Sequence, residues 1–334
     1  MSMVTRITGF VSRHLTLLIF IVMALGLLNT KLFGGIPFNI AICASASFLM
    51  IYPMFINLKI EDVAEVGRYK GVVAASVILN FLVSPLIAYG LGRVFFADAP
   101  YMALGLMLIA LLPTSGMTAT WTELAKGELK AALSIIAVSL ILIIVGLPFA
   151  LPLAAGDQLT VTPFFIFQRI LLVIVIPLVL GDITRRVIIA RKGLPAFKAY
   201  KPVFSGLSSA GLLVVLFLIM SLDSNQLLLS QPLAAVKALA PLSIYYVGLF
   251  ALSTLVGRLF PHKVGIALTY GTSVRYLALA LGIAVPLLGS GTNSSQVVFV
   301  VALSFFIQVP LSSLYSRWMA GLVRPATVVH TVIP

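Results

Sequence analysis

Two short polar stretches interrupt apolar runs that are otherwise long enough to cross a membrane. They are Leu112-Pro113-Thr114-Ser115-Gly116-Met117-Thr118 and Tyr270-Gly271-Thr272-Ser273-Val274-Arg275-Tyr276. Both concentrate hydroxyl groups, and the second adds a guanidinium, so together they could hold a small anion. Pro113 removes a backbone donor, while Gly116 and Gly271 remove the steric objection to unwinding, so a helix is expected to open at each stretch. Open backbone at membrane depth is tolerated only where it is buried in protein or lines a cavity. A pair of interrupted segments at corresponding places in two halves is the strongest pointer a sequence gives to a transporter's binding site.

Arg275 stands out within this pattern. It lies ~16 Å beyond the cytoplasmic end of its apolar run at 1.5 Å per residue, close to the middle of a ~30 Å hydrocarbon layer. A charge there costs at least ~2.5 kcal/mol and normally faces a cavity or a partner. Of the nine acidic residues all but Glu123 fall in connections or at span ends, and Glu123 itself approaches the cytoplasmic end of the fourth span. Three readings of Arg275 stay open: it holds an anionic substrate, it stands permanently where a coupling cation binds in related carriers, or it ties down carbonyls freed by the break. Arg169 either attracts substrate or snorkels outward. Cys43, among small residues, reads as helix packing.

The elements that must position these residues follow from composition. The chain has 334 residues, of which 61% are hydrophobic and 9% charged, far below the ~25% charged of a soluble protein. Ten apolar runs of about 20 residues are expected near 15–33, 38–57, 71–95, 100–125, 131–153, 163–183, 202–221, 233–258, 264–288 and 295–315. The formal charge of +13 would suggest nucleic acid in a soluble chain. Here it collects in alternate connections, whereas their opposite ends hold only Lys31, Arg93 and Lys237. That asymmetry places both termini in the cytoplasm. The basic segment from Arg185 to Lys201 reads as a solvated cytoplasmic loop.

Ten spans divide into two halves of five, residues 1–157 and 158–334, and an odd number per half makes the second repeat inverted. The expected fold is all-α: ten transmembrane helices in two inverted five-helix repeats, with helices 4 and 9 broken and crossing. The histidines are terminal or cytoplasmic, so a proton relay through the membrane centre lacks a carrier. One cysteine cannot build a multi-thiolate metal site. No GxxxxGK[ST] loop is present for nucleotide hydrolysis, and no nucleophile stands beside a base. No cofactor, metal, enzymatic activity or nucleic-acid partner is expected.

With these breaks in place, LMIYPMFINLKIEDV from Leu49 to Val63 and WTELAKGE from Trp121 to Glu128 resemble the bile acid:sodium symporter superfamily, nearer its arsenite-efflux permease branch. The resemblance implies a panel and a core subdomain with substrate between them. Anchored on Ala125-Lys126-Gly127, the symporters' sodium-binding Ser-Asn pair falls on Thr118 and Ala119. In the ninth span their Glu falls on Gly271, their Gln on Arg275 and their Asn on Tyr276. The permeases' cysteine falls on Thr114 and their glutamate on Tyr276, and a hydroxyl replaces a thiolate poorly toward arsenic.

The sequence therefore predicts a cytoplasmic-membrane carrier of a small organic anion, working by alternating access without the family's sodium coupling. Thr114, Ser115, Thr118, Thr272, Ser273, Arg275 and Tyr276 are expected to line its site, with Pro113, Gly116 and Gly271 permitting the breaks. Its partners are that substrate and membrane lipid. The alternatives are a sodium-coupled organic anion symporter, an arsenite or metalloid efflux permease, and a membrane-embedded sensor.

Overall fold

The computed structural model describes residues 10, 14–37, 40–57, 66–155, 163–222, 232–288 and 292–322. The described residues are almost entirely helical, with two isolated bridges and no strand. In chain order the helices are α1 (Leu15–Phe33), α2 (Ile40–Ile56), α3 (Lys70–Ile78), α4 (Ser84–Phe95), α5 (Pro100–Leu111), α6 (Met117–Leu124) and α7 (Leu129–Ala155). They continue as α8 (Pro163–Ile170), α9 (Ile176–Met220), α10 (Pro232–Gly257), α11 (His262–Ser273), α12 (Leu277–Leu288) and α13 (Thr292–Leu322). A π-helical turn, Leu79–Val83, joins α3 to α4, and another, Leu171–Val175, joins α8 to α9.

Five helical stretches among the described residues are long and apolar enough to cross a membrane: Val66–Phe95, Leu129–Leu153, Ile176–Leu218, Val236–Gly257 and Gln296–Met319. Exposed Leu17, Val145, Phe149, Leu153, Leu255 and Leu314 form apolar surface that water would penalise and lipid accepts. In lipid, helices associate through close packing rather than through the hydrophobic effect, and small residues permit it. A Cβ added at Gly211 of α9 would lie 2.7 Å from the Met50 backbone of α2, and one at Gly105 of α5 would lie 2.9 Å from the Val297 carbonyl of α13.

The packing falls into two layers. Helices α1 and α2 both pack on α9, while α3 to α7 pack with α10, α11 and α13. Helix α12 touches both groups, through α2 on one side and α13 on the other.

One expectation is overturned. The basic segment from Arg185 to Lys201 is helical on both sides of a kink, not loop: two helical stretches within α9 meet at Gly193, whose φ 80° and ψ 165° are non-helical. Asp182 pairs with Arg186 at 2.6 Å and with buried Arg185 at 3.5 Å across one helical turn, which supports helix there.

Candidate functional site at two crossed helix breaks

The first break opens where the sequence places it. Helix α5 ends at Leu111, Leu112 is extended at φ −93° and ψ 94°, and α6 starts at Met117. Gly116 itself has ordinary helical angles, φ −60° and ψ −20°. Its missing side chain makes room instead, since a Cβ there would lie 2.5 Å from the Met54 methyl.

The second break lies later than Gly271. Helix α11 runs through Gly271 to Ser273, and Val274 is extended at φ −87° and ψ 99°. Gly271 is therefore a packing position: a Cβ on it would lie 2.8 Å from Ile135 of α7.

The two unwound segments cross. Thr114 and Arg275 form an antiparallel bridge, and the Tyr276 N–H donates to the Pro113 carbonyl at 3.1 Å. Breaking two helices frees backbone groups that must find new partners at this depth. The Gly271 carbonyl, which would accept from Arg275 in an unbroken helix, accepts from Asn80 Nδ2 at 2.9 Å. The Arg275 N–H donates to Gln308 Oε1 at 2.7 Å, and Gln308 Nε2 donates to the Arg275 carbonyl at 3.1 Å. The Ala110 carbonyl accepts from Ser84 Oγ at 3.3 Å and from Arg275 Nη1 at 3.5 Å.

The hydroxyls divide by role. Thr114 and Thr118 share a 2.6 Å hydrogen bond, and Thr118 also donates to the Tyr270 carbonyl at 3.3 Å, joining α6 to α11. Ser273 pairs with Ser253 of α10 at 3.0 Å, and Thr272 is fully buried with its hydroxyl unpartnered. A cavity of ≈ 70 Å³ adjoins the crossing, between the two layers. Ser115, Arg275 and Tyr276 line it, together with Gln308, Ser208, Ser209 and an apolar wall that includes Met50, Met54 and Phe305. Thr114, Thr118, Thr272 and Ser273 are not among its lining residues.

Arg275 is 1% exposed. Its guanidinium carbon lies 5.9 Å from the Tyr245 ring centroid, within cation–π range, and Tyr245 in turn bonds Ser84 at 2.7 Å. No described carboxylate pairs with Arg275, and its Nε and Nη2 have no partner. The side chains of Cys43 and Arg169 lie outside the described residues. Asn80 and Gln308 went unnoticed in the sequence, although an amide inside an apolar run is itself a signal, because burying one unpaired is costly.

Two broken helices crossing beside a cavity, within an apolar helical chain, have the construction of a membrane transporter. A model of the sodium bile acid symporter family matches residues 45–230, and the chain belongs to that family. Full-length similarity runs to arsenical-resistance proteins Acr3. The one from Corynebacterium glutamicum is 27% identical over 86% of this chain and 83% of its own length. The one from Alkaliphilus metalliredigens is 25% identical over 91% of this chain and 90% of its own. A sodium-dependent transporter of Bacillus subtilis, YocS, is 26% identical over 55% of this chain and 56% of its own. The chain is thus a multi-pass membrane transporter with a small-molecule substrate, not an enzyme.

The family's coupling ion can be tested against the residues present. Where sodium ligands would fall, Thr118 supplies a single neutral hydroxyl oxygen, Gly271 has no side chain, and Arg275 contributes a fixed positive charge. This donor set does not fit a sodium ion of the family type.

Proposed function

We propose that this transporter carries a small organic anion across the cytoplasmic membrane by alternating access, without the family's sodium coupling. Ten spans form two inverted five-helix repeats, residues 1–157 and 158–334, with both termini in the cytoplasm. The layer of α1, α2 and α9 moves against the rest and exposes the cavity to each side in turn. Ser115, Arg275 and Tyr276 meet the substrate. Thr114, Thr118 and Ser273 stabilise the crossing and the helices that flank it, and Thr272 is buried beside them.

The observation that carries this reading is Arg275, a buried cation with no carboxylate partner and two unpaired donors beside a cavity. Each unpaired donor costs about 1–3 kcal/mol, and an arriving anion offsets both that cost and part of the charge penalty. The guanidinium also supplies, permanently, the positive charge that a coupling ion would bring.

The test is uptake of small organic anions into liposomes holding the purified protein, with and without sodium. Sodium-independent uptake, lost in Arg275→Gln while the variant melts as a folded protein, is the expected result. Unchanged uptake kinetics in Arg275→Gln would overturn the anion assignment, and a sodium requirement would overturn the coupling assignment.

Similarity to arsenical-resistance proteins favours a second reading, metalloid efflux. It predicts that the chain protects an arsenite-sensitive cell, and Thr114 in place of a thiolate argues against it.

A further inference from the structure

On a straight helix Gly181 and Ser205 would stand ~36 Å apart at 1.5 Å per residue. Both nevertheless meet the end of α2. A Cβ on Gly181 would lie 2.8 Å from the Phe55 backbone, while Asn57 Nδ2 donates to Ser205 Oγ at 3.1 Å and to the Lys201 carbonyl at 3.3 Å. Helix α9 is therefore a hairpin that folds back at Gly193, where a φ of 80° suits glycine. Its second arm meets Met50 at Ser208 and Asn57 at Lys201, so residues 194–200 continue past the end of α2 and the turn stands ~12 Å beyond it. Across the turn, Lys192 Nζ donates to the Tyr200 hydroxyl at 3.2 Å and lies 5.2 Å from the centroid of that ring.

Helix α2 is apolar from Ile40 to Ile56, so its end marks the edge of the hydrocarbon layer. A hairpin reaching ~12 Å further passes through the headgroup zone, roughly 5–7 Å deep on each side of a bilayer, and into the water.

Residues 185–201 carry six cations and no acid. Asp182 pairs with Arg185 and Arg186. Arg191, Lys192, Lys198 and Lys201 are exposed, and no described carboxylate pairs with any of them. Four like charges on one short hairpin repel one another, and an anionic surface beside them relieves that repulsion.

The arms are also apolar where they leave the membrane. Ile183, Val187 and Arg191 follow one another at four-residue intervals, which puts them on one helix face, and all three are exposed. That face passes from apolar to cationic toward the turn, in the order in which a phospholipid passes from acyl chain to phosphate. Exposed Leu194 and Tyr200 lie beside Lys198 and Lys201 on the second arm. We infer that the hairpin of α9 is a docking surface for anionic phospholipids, with Arg191, Lys192, Lys198 and Lys201 on the headgroup phosphates and Ile183 and Val187 against the acyl chains. Basic clusters next to a membrane span attract anionic lipid, and long basic side chains reach headgroups while their stems stay on apolar surface. A nucleic acid or an acidic protein would meet the charges but offer nothing to Ile183 and Val187.

The experiment is thermal unfolding of the detergent-purified full chain with added phosphatidylglycerol, phosphatidylcholine, glycerol 3-phosphate, an RNA oligonucleotide or polyglutamate, because a ligand of the folded state raises apparent stability. Phosphatidylglycerol is expected to stabilise at concentrations at least ~tenfold below those required of phosphatidylcholine, and the difference should shrink as salt screens the exposed charges. Two variants locate the effect. The first neutralises the hairpin (Arg191→Gln, Lys192→Gln, Lys198→Gln and Lys201→Gln) and should respond to the two lipids alike. The second removes the same charge from other exposed positions (Arg68→Gln, Lys70→Gln, Arg258→Gln and Lys263→Gln) and should keep the preference. Both should melt as the wild type does in phosphatidylcholine.

Equal action of the two lipids on the wild type would overturn the inference. Loss of the preference in the second variant as well would show a response to net charge and overturn the hairpin as its seat. Glycerol 3-phosphate acting at the concentration of phosphatidylglycerol would overturn a lipid as the source of the phosphate. Stabilisation by RNA or polyglutamate and not by phosphatidylglycerol would overturn the class of partner.

Discussion

The two breaks reach the same outcome by different means. The first is written locally: Pro113 cannot donate, Leu112 turns extended, and the hydroxyls of Thr114 and Thr118 bond each other four residues apart. The second has neither proline nor glycine at Val274 to Tyr276. It is held open by side chains from distant parts of the chain, Gln308 on the Arg275 backbone and Asn80 on the Gly271 carbonyl. A break made by covalent geometry needs little from its surroundings, whereas one made by hydrogen-bond substitution survives only while its substitutes are present.

The comparison can be broken most severely at the charge. Arg275→Gln removes the cation from the second break and leaves the first intact, so uptake should fall at least ~100-fold, matching a lost charge-assisted contact of ~2.7 kcal/mol or more. Uptake assays on reconstituted protein check this.

Next comes the clamp on the second break. Gln308→Leu orphans the buried Arg275 N–H, at roughly 1–3 kcal/mol, while the Arg275 carbonyl keeps the Leu277 N–H at 2.9 Å. The melting temperature should drop clearly, and amide exchange near Arg275 should accelerate more than exchange near Thr114. Equal acceleration at both breaks would mean that they are a single cooperative unit.

Smaller effects separate the two glycines. Gly271→Ala drives a methyl to 2.8 Å from Ile135, whose branched chain is held inside the core, and overpacking of this kind costs ~1–3 kcal/mol. Gly116→Ala meets only the flexible end of Met54, so its melting temperature should stay closer to that of the wild type. The smallest change is Thr118→Val, which removes the bonds to Thr114 and the Tyr270 carbonyl for about 1 kcal/mol. Thermal unfolding of the three variants side by side ranks them.

Much of this was legible in the sequence, for physical reasons. Helices of length and apolarity sufficient for a bilayer follow from composition, because lipid offers backbone groups no alternative partner. The first break followed from Pro113, and the depth of Arg275 followed from counting residues along a rise of 1.5 Å. The second break falls inside the stretch Tyr270 to Tyr276, at Val274, but Gly271 does not make it by conformational freedom and serves close approach to α7 instead. The basic stretch after Asp182 was read as a loop because its charges suggested solvent, yet charge pairs one turn apart suit an exposed helix equally well.

The sequence by itself determined the apolar helices, the first break, a cation within an apolar run at Arg275 and the shortage of acidic residues in the chain, since each depends on residue type and local spacing alone. Only the tertiary structure decided that Asn80, Ser84 and Gln308 satisfy the freed backbone and that Ser115 rather than Thr114 borders the cavity. It also decided which edge of Arg275 is left free. Those outcomes depend on which donor meets which acceptor across helices far apart in the chain, and hydrogen bonds, being short and directional, are settled only when the helices have packed.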